Sequence, residues 1–252
     1  MNTVRSEWTK LTTSPGTVWM LLGIIALTIG TSAASSATAG CPPVDGCVVD
    51  PARTGLAGVT VGQALVVVLG ALLIGGEYHT GMIGVSLAAT PRRTSLLLAK
   101  VANLGALVAV AGVLGVLGSY VAGRLLLPGR GYHLAPLTEP AMLRAVGGSV
   151  LYLILVALLG LGLAAMMREP AAAIGVAFGL LYVFPLITSV VTEKHWRRHL
   201  EQIQPMGAGL DIQATLNLHG LVLSPWAGLG VLAAWALGAL FTGWLLLITR
   251  DA

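Results

Sequence analysis

Six apolar runs, each long enough to cross a lipid bilayer as a helix, dominate the 252-residue chain. The hydrocarbon core of a bilayer is about 30 Å thick, and a helix needs about 20 consecutive, mostly apolar residues to cross it. The runs predict an all-α integral membrane protein with six transmembrane helices in one domain over residues 1–252. The predicted spans fall at about residues 17–36, 55–76, 95–122, 142–167, 171–191 and 226–249.

The composition excludes two broad classes of protein. The chain is 56% hydrophobic and only 10% charged, which leaves too few polar side chains to cover a soluble domain of this length. The formal net charge of +4 comes mainly from arginines in the predicted loops. Anionic lipid head groups are therefore better partners for these charges than nucleic acid.

Six spans place both termini on one side of the membrane. The loops on that side are shorter and so carry a higher density of basic residues, which by the positive-inside rule predicts cytoplasmic termini. Cys41 and Cys47, the only two cysteines, flank a five-residue stretch after the first span. Such a close pair indicates a disulfide in an oxidising compartment, with metal binding as a weaker alternative. Residues 37–41 also resemble a lipoprotein cleavage site, although Thr38 stands where leucine is usual.

The first 14 residues are patterned as an amphipathic helix. Val4, Trp8 and Leu11 follow the i, i+4, i+7 spacing of one helix face, and Arg5 and Lys10 lie on the other face. This pattern predicts an interfacial helix in the plane of the lipid head groups, with a disordered tail as the alternative.

A polar and basic segment follows the second span. Gly75–Gly76 is expected to weaken the helix where it leaves the membrane, and Glu77 suits the positive N-terminal end of a new helix. Thr90–Pro91 is expected to end that helix. The pattern predicts a short helix along the membrane surface. The alternative is an ordinary loop in which Arg92 and Arg93 only anchor the orientation.

At these residues the chain resembles the permease subunits of type-2 ATP-binding-cassette exporters. The resemblance rests on residues 6–11 (SEWTKL), on Gly76-Glu77-Tyr78-x-Thr80-Gly81, on Leu87-x-Ala89-Thr90-Pro91-Arg92-Arg93 and on Lys100. In that family the segment after the second span is a cytoplasmic coupling helix that docks on a separate ATPase subunit. The resemblance implies that coupling involves Glu77, Tyr78, His79, Thr80, Gly81, Met82, Pro91, Arg92 and Arg93, with Trp8 and Lys10 in the interfacial helix.

The chain departs from the family pattern at two of these positions. His79 stands where arginine is often found, and Gly84 replaces a residue that is commonly polar or basic. These departures affect the expected details of ATPase docking.

The resemblance implies a transport subunit that is not an enzyme by itself. No Gly-x-x-x-x-Gly-Lys-[Ser/Thr] motif occurs in the chain, so ATP and magnesium are expected on two copies of a partner ATPase, with no cofactor in this chain. A second permease subunit is expected in the bacterial cytoplasmic membrane. The expected cargo is a hydrophobic or amphipathic compound such as a drug, antibiotic or modified peptide. The alternatives are a non-transporting scaffold or sensor that recruits an ATPase and, third, a membrane metalloenzyme.

The metalloenzyme alternative depends on His195 and His199, which are four residues apart. Two histidines without a third ligand are a weak metal signal. Trp196, Leu200 and Ile203 instead predict an amphipathic helix on the outer surface.

A few polar and small residues lie inside the predicted spans. Gln63 and Asn103 are expected to hydrogen-bond neighbouring helices, with a weak alternative role in a substrate path. Small residues recur at four-residue spacing and favour close helix packing, either within one subunit or across a dimer. These sets are Gly58/Gly62, Ala171/Gly175/Gly179 and Gly230/Ala234/Gly238.

Overall fold

The computed structural model describes residues 8–9, 14–40, 49–79, 81–82 and 93–249, and the regular structure in this part of the chain is helical. Six helices there are long and apolar enough to cross a membrane. The predicted all-α architecture with six spans is therefore confirmed, with bounds that differ from the predicted ones by a few residues.

From residue 14 onward, the described part of the chain contains the six spans and, between them, three short helices. Span 1 is α1 (Pro15–Ala37), span 2 is α3 (Gly58–His79), span 3 is α4 (Arg93–Leu126) and span 4 is α5 (Pro140–Met167). Span 5 joins α6 (Pro170–Phe178), a π-helical turn (Gly179–Val183) and α7 (Phe184–Val190), and span 6 is α10 (Pro225–Thr249). The short helices are α2 (Pro51–Gly55), α8 (Lys194–Ile203) and α9 (Pro205–Leu210), with 3₁₀ turns at Leu127–Arg130, Asp211–Gln213 and Leu218–Gly220.

Span 4 forms the centre of the bundle and packs against spans 2, 3, 5 and 6. Its side chains Leu153, Leu159 and Leu161 are fully buried. Span 1 lies at the edge and packs against spans 2 and 3. The arrangement leaves spans 5 and 6 on the surface of span 4, with large parts of both helices exposed.

Glycines allow spans 2 and 4 to approach closely. A Cβ atom added at Gly70 would lie 2.2 Å from the carbonyl oxygen of Ala157, and one at Gly160 would lie 2.5 Å from that of Val67. Both distances are far below van der Waals contact, and the obstructing atoms belong to the backbone. A glycine in each helix therefore allows the backbone of the other helix to approach this closely.

The stripes of small residues divide into two groups. Gly58 and Gly62 pack inside the subunit, where a Cβ at Gly58 would lie 1.8 Å from the carbonyl oxygen of Thr28. In contrast, a Cβ at Gly175, Gly179 or Gly238 would meet nothing within 4 Å. The first stripe is an intrasubunit contact, whereas the stripes of spans 5 and 6 are open.

The spans connect two faces of the protein. The terminal face holds the start of span 1, the end of span 2, the start of span 3, the end of span 4, the start of span 5 and the end of span 6. The opposite face holds α2, α8, α9 and the connections around them. On the opposite face Asp50 caps α2 and also accepts hydrogen bonds from the backbone N–H groups of Thr215, at 2.7 Å, and Leu216, at 3.0 Å. This carboxylate joins the segment after span 1 to the segment before span 6.

The helix predicted around His195 is present as α8. Trp196 in this helix is 64% exposed, and the indole Nε1 of Trp235 in span 6 donates to the carbonyl oxygen of Ile203 at 2.9 Å. This contact fixes the end of α8 against span 6.

Two predicted features fall largely outside the described residues. Of the predicted N-terminal helix, Trp8 and Thr9 are described and are helical, whereas Lys10 is outside. Cys41 and Cys47 are also outside, so their disulfide remains a prediction.

Candidate functional site

The predicted coupling segment lies at the terminal face, and its first residues belong to span 2. The helix of span 2 continues through Gly75–Gly76 to His79, so the expected weakening does not end the helix at the glycines, and the expected helix start at Glu77 is wrong. A Cβ at Gly75 would lie 2.9 Å from the Cβ of Pro170 at the start of span 5. The glycine therefore permits close packing of spans 2 and 5 and does not interrupt the helix.

Glu77 forms an ion pair with Lys100 in span 3. The Lys100 ammonium lies 2.8 Å from Oε1 of Glu77 and 3.4 Å from the carbonyl oxygen of Leu73. A carboxylate near the C-terminal end of a helix is opposed by the helix dipole, so an adjacent cation is needed to stabilise it. Lys100 supplies this cation from the second turn of span 3.

Tyr78 contacts the end of span 4. The guanidinium carbon of Arg168 lies 5.5 Å from the centroid of the Tyr78 ring, within cation–π range. Arg168 ends span 4 in the left-handed conformation, with φ of 57°, where glycine is the unstrained residue. The contact with Tyr78 gives the arginine side chain a function that glycine lacks.

Arg93 connects the start of span 3 to the end of span 6. Its Nη1 atom donates to the carbonyl oxygen of Leu247 at 2.5 Å. Beside it, the indole Nε1 of Trp244 donates to Oγ1 of Thr94 at 3.1 Å. Arg93 is thus half-buried and bonded within the subunit, and its contact with an ATPase, which the resemblance implies, stays a prediction.

The remaining predicted coupling residues are only partly described. Gly81 has φ of +71° and is exposed, and Met82 is 49% exposed. The side chain of His79 and the residues Thr80, Pro91 and Arg92 lie outside the described part, as does the predicted helix between 83 and 92. The structure therefore defines the two ends of the segment, and its middle remains a prediction.

The contacts of Glu77, Tyr78 and Arg93 join the ends of several spans at the terminal face. Glu77 and Tyr78 join span 2 to spans 3 and 4, and Arg93 joins span 3 to span 6. A force applied to the segment between residues 77 and 93 would reach several spans at once. The sequence identified the segment but not the partners Lys100, Arg168 and Leu247, because nothing in a linear pattern says which helix ends are neighbours.

The two in-span amides lie inside the subunit. Gln63 is fully buried, its Oε1 accepts a hydrogen bond from the Tyr152 hydroxyl, and its side chain faces Tyr182. The Tyr182 hydroxyl donates to the carbonyl oxygen of Thr60 at 2.8 Å. Asn103 is also buried, in span 3. Gln63 thus takes part in a polar contact among spans 2, 4 and 5.

His195 and His199 lie on the exposed surface of α8, with ring centroids 4.6 Å apart. Within the described ranges no three or more His, Cys, Asp or Glu side chains are grouped so that they could hold a metal ion. The pair by itself gives an incomplete ligand set.

Comparison of the chain with known protein families and with curated proteins found no match.

Proposed function

We propose that this chain is the transmembrane subunit of an ATP-driven exporter of the type-2 ATP-binding-cassette kind. It moves a hydrophobic or amphipathic compound, such as a drug, antibiotic or modified peptide, out of the cell. The observation that supports the proposal is the anchoring of both ends of segment 77–93, by Glu77 to Lys100 in span 3 and by Arg93 to Leu247 in span 6.

In the proposed mechanism, a separate ATPase docks on the segment between these anchors. ATP and magnesium bind on two copies of that ATPase, and closure of the ATPases displaces the segment. The ion pair of Lys100 transmits this displacement to span 3, and the hydrogen bond of Arg93 transmits it to span 6. A buried ion pair suits this task because separating its charges in a medium of low dielectric is costly.

The proposed assembly contains two permease subunits in the bacterial cytoplasmic membrane. The terminal face, with the coupling segment, is cytoplasmic, and the opposite face, with α8 and α9, is outside. An impermeant thiol reagent tests this orientation, because it should label Cys41 and Cys47 in intact cells after reduction. Labelling only in permeabilised cells would show that the orientation is the reverse of the proposed one.

The experiment that tests the function is purification of the tagged chain from its native membrane, followed by mass spectrometry. The expected result is a stoichiometric ATPase that carries a P-loop. Arg92→Glu should release this ATPase, because a lost charge-assisted contact weakens docking about tenfold to a hundredfold. Arg130→Glu is the matched control, since Arg130 is an exposed arginine on the opposite face.

Reconstitution then separates transport from recruitment. Cargo-stimulated ATP hydrolysis by the complex in liposomes is expected of an exporter. A complex that retains the ATPase but neither transports nor responds to any cargo would instead identify a scaffold or sensor. Absence of a stoichiometric ATPase would overturn both interpretations.

A further inference from the structure

Spans 5 and 6 diverge over the surface of span 4 and leave an apolar groove of about 750 Å³. Leu159 and Leu163 of span 4 form its floor, and Val176 and Trp235 stand on its two walls. Val176 is 45% exposed and Trp235 is 39% exposed, so the groove is open along the side of the bundle. Spans 5 and 6 are both candidate membrane helices, so a bilayer around them would adjoin this opening.

The dimensions of the groove favour an occupant that is narrower than a helix. The part of span 6 that lines it runs from Val231 to Thr242, which is about 16 Å of helix. A partner helix of that length, about 10 Å across, would occupy roughly 1,200 Å³, so only one face of it would enter the groove. An alkyl chain is thinner and matches the almost wholly apolar lining. The groove is empty beside Gly238, where an added Cβ would meet nothing within 4 Å.

The outer end of the groove is bounded by α8, which carries an excess of positive charge. Gln202 and Ile203 of α8 line this end. Arg197 is paired with Glu201 at 3.1 Å, whereas Arg198 is exposed and makes no ion pair within the described part of the chain. Arg198 lies one turn before Gln202 and so on the same side of the helix. A cation therefore lies one helical turn from the residue of α8 that lines the end of the apolar groove.

We propose that this groove binds one alkyl chain of an anionic membrane phospholipid, with the lipid head group at Arg198 and Gln202. The lipid chain covers the open stripe of Gly238 and Ala234, and its phosphate interacts with the guanidinium of Arg198. The site goes beyond the proposed transport function, because its occupancy does not depend on an ATPase or on a cargo.

Trp235 provides a direct probe of the site, because bromine on a lipid chain quenches tryptophan fluorescence on contact. The purified full-length chain is reconstituted in phosphatidylcholine vesicles with increasing mole fractions of phosphatidylglycerol brominated in mid-chain. A parallel series uses brominated phosphatidylcholine. The Trp235 signal is the difference between the wild-type protein and Trp235→Phe.

The brominated anionic lipid should reach half-maximal quenching at a mole fraction about fivefold lower than the zwitterionic lipid, the factor expected for one basic residue at a membrane surface. Arg198→Gln should remove this preference, whereas Arg130→Gln, at an exposed arginine on the same face, should retain it. Gly238→Leu should fill the groove and reduce Trp235 quenching by both lipids. Its control is Gly30→Leu in span 1, where a Cβ also meets nothing within 4 Å.

Two results would overturn the proposal. Equal quenching of Trp235 by both lipids, in proportion to mole fraction and unchanged by Gly238→Leu, would show contact with bulk lipid only. Disulfide cross-linking between two copies of a Gly238→Cys variant that lacks Cys41 and Cys47 would show that a second subunit occupies the groove. Neither result depends on whether the chain recruits an ATPase.

Discussion

The ammonium group of Lys100 lies 2.8 Å from the carboxylate of Glu77, and the lysine side chain is only 1% exposed. The two residues belong to different spans and are separated by the proposed coupling segment. A charged pair so near the bilayer is costly to form and very costly to break on one side only. The pair therefore fixes the distance between the end of span 2 and the start of span 3.

Removal of one partner of this pair should destabilise the protein strongly. Lys100→Met removes the ammonium group from its position 2.8 Å from the Glu77 carboxylate, with an expected loss of about 3–5 kcal/mol in the free energy of unfolding. The double variant Lys100→Met/Glu77→Gln removes both charges and should recover most of this loss. Unfolding in detergent measures both effects. The control pair Arg197–Glu201 is partly exposed, and Arg197→Met should cost less than about 1 kcal/mol. A double variant no more stable than Lys100→Met alone would contradict this account of the pair.

Loss of the Asp50 carboxylate should loosen the opposite face. This side chain accepts hydrogen bonds from Thr215 and Leu216 as well as from the first turn of α2. Asp50→Ala should destabilise the protein by about 2–4 kcal/mol, since hydrogen bonds to a charged group are each worth about 1.5–3 kcal/mol. It should also expose residues 205–224 to limited proteolysis. Glu139 caps span 4 without a side-chain hydrogen bond, so Glu139→Ala should change stability by no more than about 0.5 kcal/mol. Equal effects of the two substitutions would contradict the bridging role of Asp50.

The opposite face should also lose stability as pH rises. Burial raises the pKa of the Asp211 carboxyl above its ordinary value of 3.8, and the cation of Arg53, 2.5 Å away, only partly offsets this effect. Because the folded state binds the proton more tightly, this contribution to stability is complete below pH 3.8 and declines as pH rises through the raised pKa. The thermal midpoint of the wild type relative to Asp211→Asn should therefore fall from pH 4 upward. A relative midpoint that increases with pH would mean that the Arg53 ion pair dominates.

A methyl group at Gly70 should disrupt the contact between spans 2 and 4. The added Cβ would lie 2.2 Å from the Ala157 carbonyl oxygen, and backbone atoms cannot move aside without separating the helices. Gly70→Ala should cost about 3 kcal/mol or more in the free energy of unfolding and reduce the yield of monodisperse protein. Gly175→Ala adds the same atom into open space and should change stability by less than about 1 kcal/mol. Tolerance of both substitutions would show that the two spans can separate at no cost.

Local pattern was sufficient to locate the six spans and α8, but not the short helices α2 and α9. Each apolar run has the length that a bilayer requires, and the amphipathic stripe of Trp196, Leu200 and Ile203 is enough to place α8. The pattern gave the wrong result after Gly75–Gly76, where helix propensity indicated a weakened helix and a new helix start at Glu77. The close approach of Pro170 to Gly75 overrides propensity there, and only the fold places that proline beside the glycine.

The helical architecture with six candidate spans could be predicted from the sequence, because the hydrophobic requirement of a bilayer is set by composition over about 20 residues and needs no tertiary information. The sequence also drew attention to the polar segment that follows span 2. The tertiary structure alone decided which helix ends meet: Glu77 with Lys100, Arg93 with Leu247, and Gly70 with Ala157. It also placed Ala234 and Gly238 of the span 6 stripe in an open groove and left Gly175 and Gly179 of span 5 without a neighbour within 4 Å of an added Cβ, whereas Gly58 and Gly62 are covered by span 1. Stripes of the same composition are covered in one case and open in the other. Small residues permit close packing, and the positions of the neighbouring helices determine whether a helix packs there.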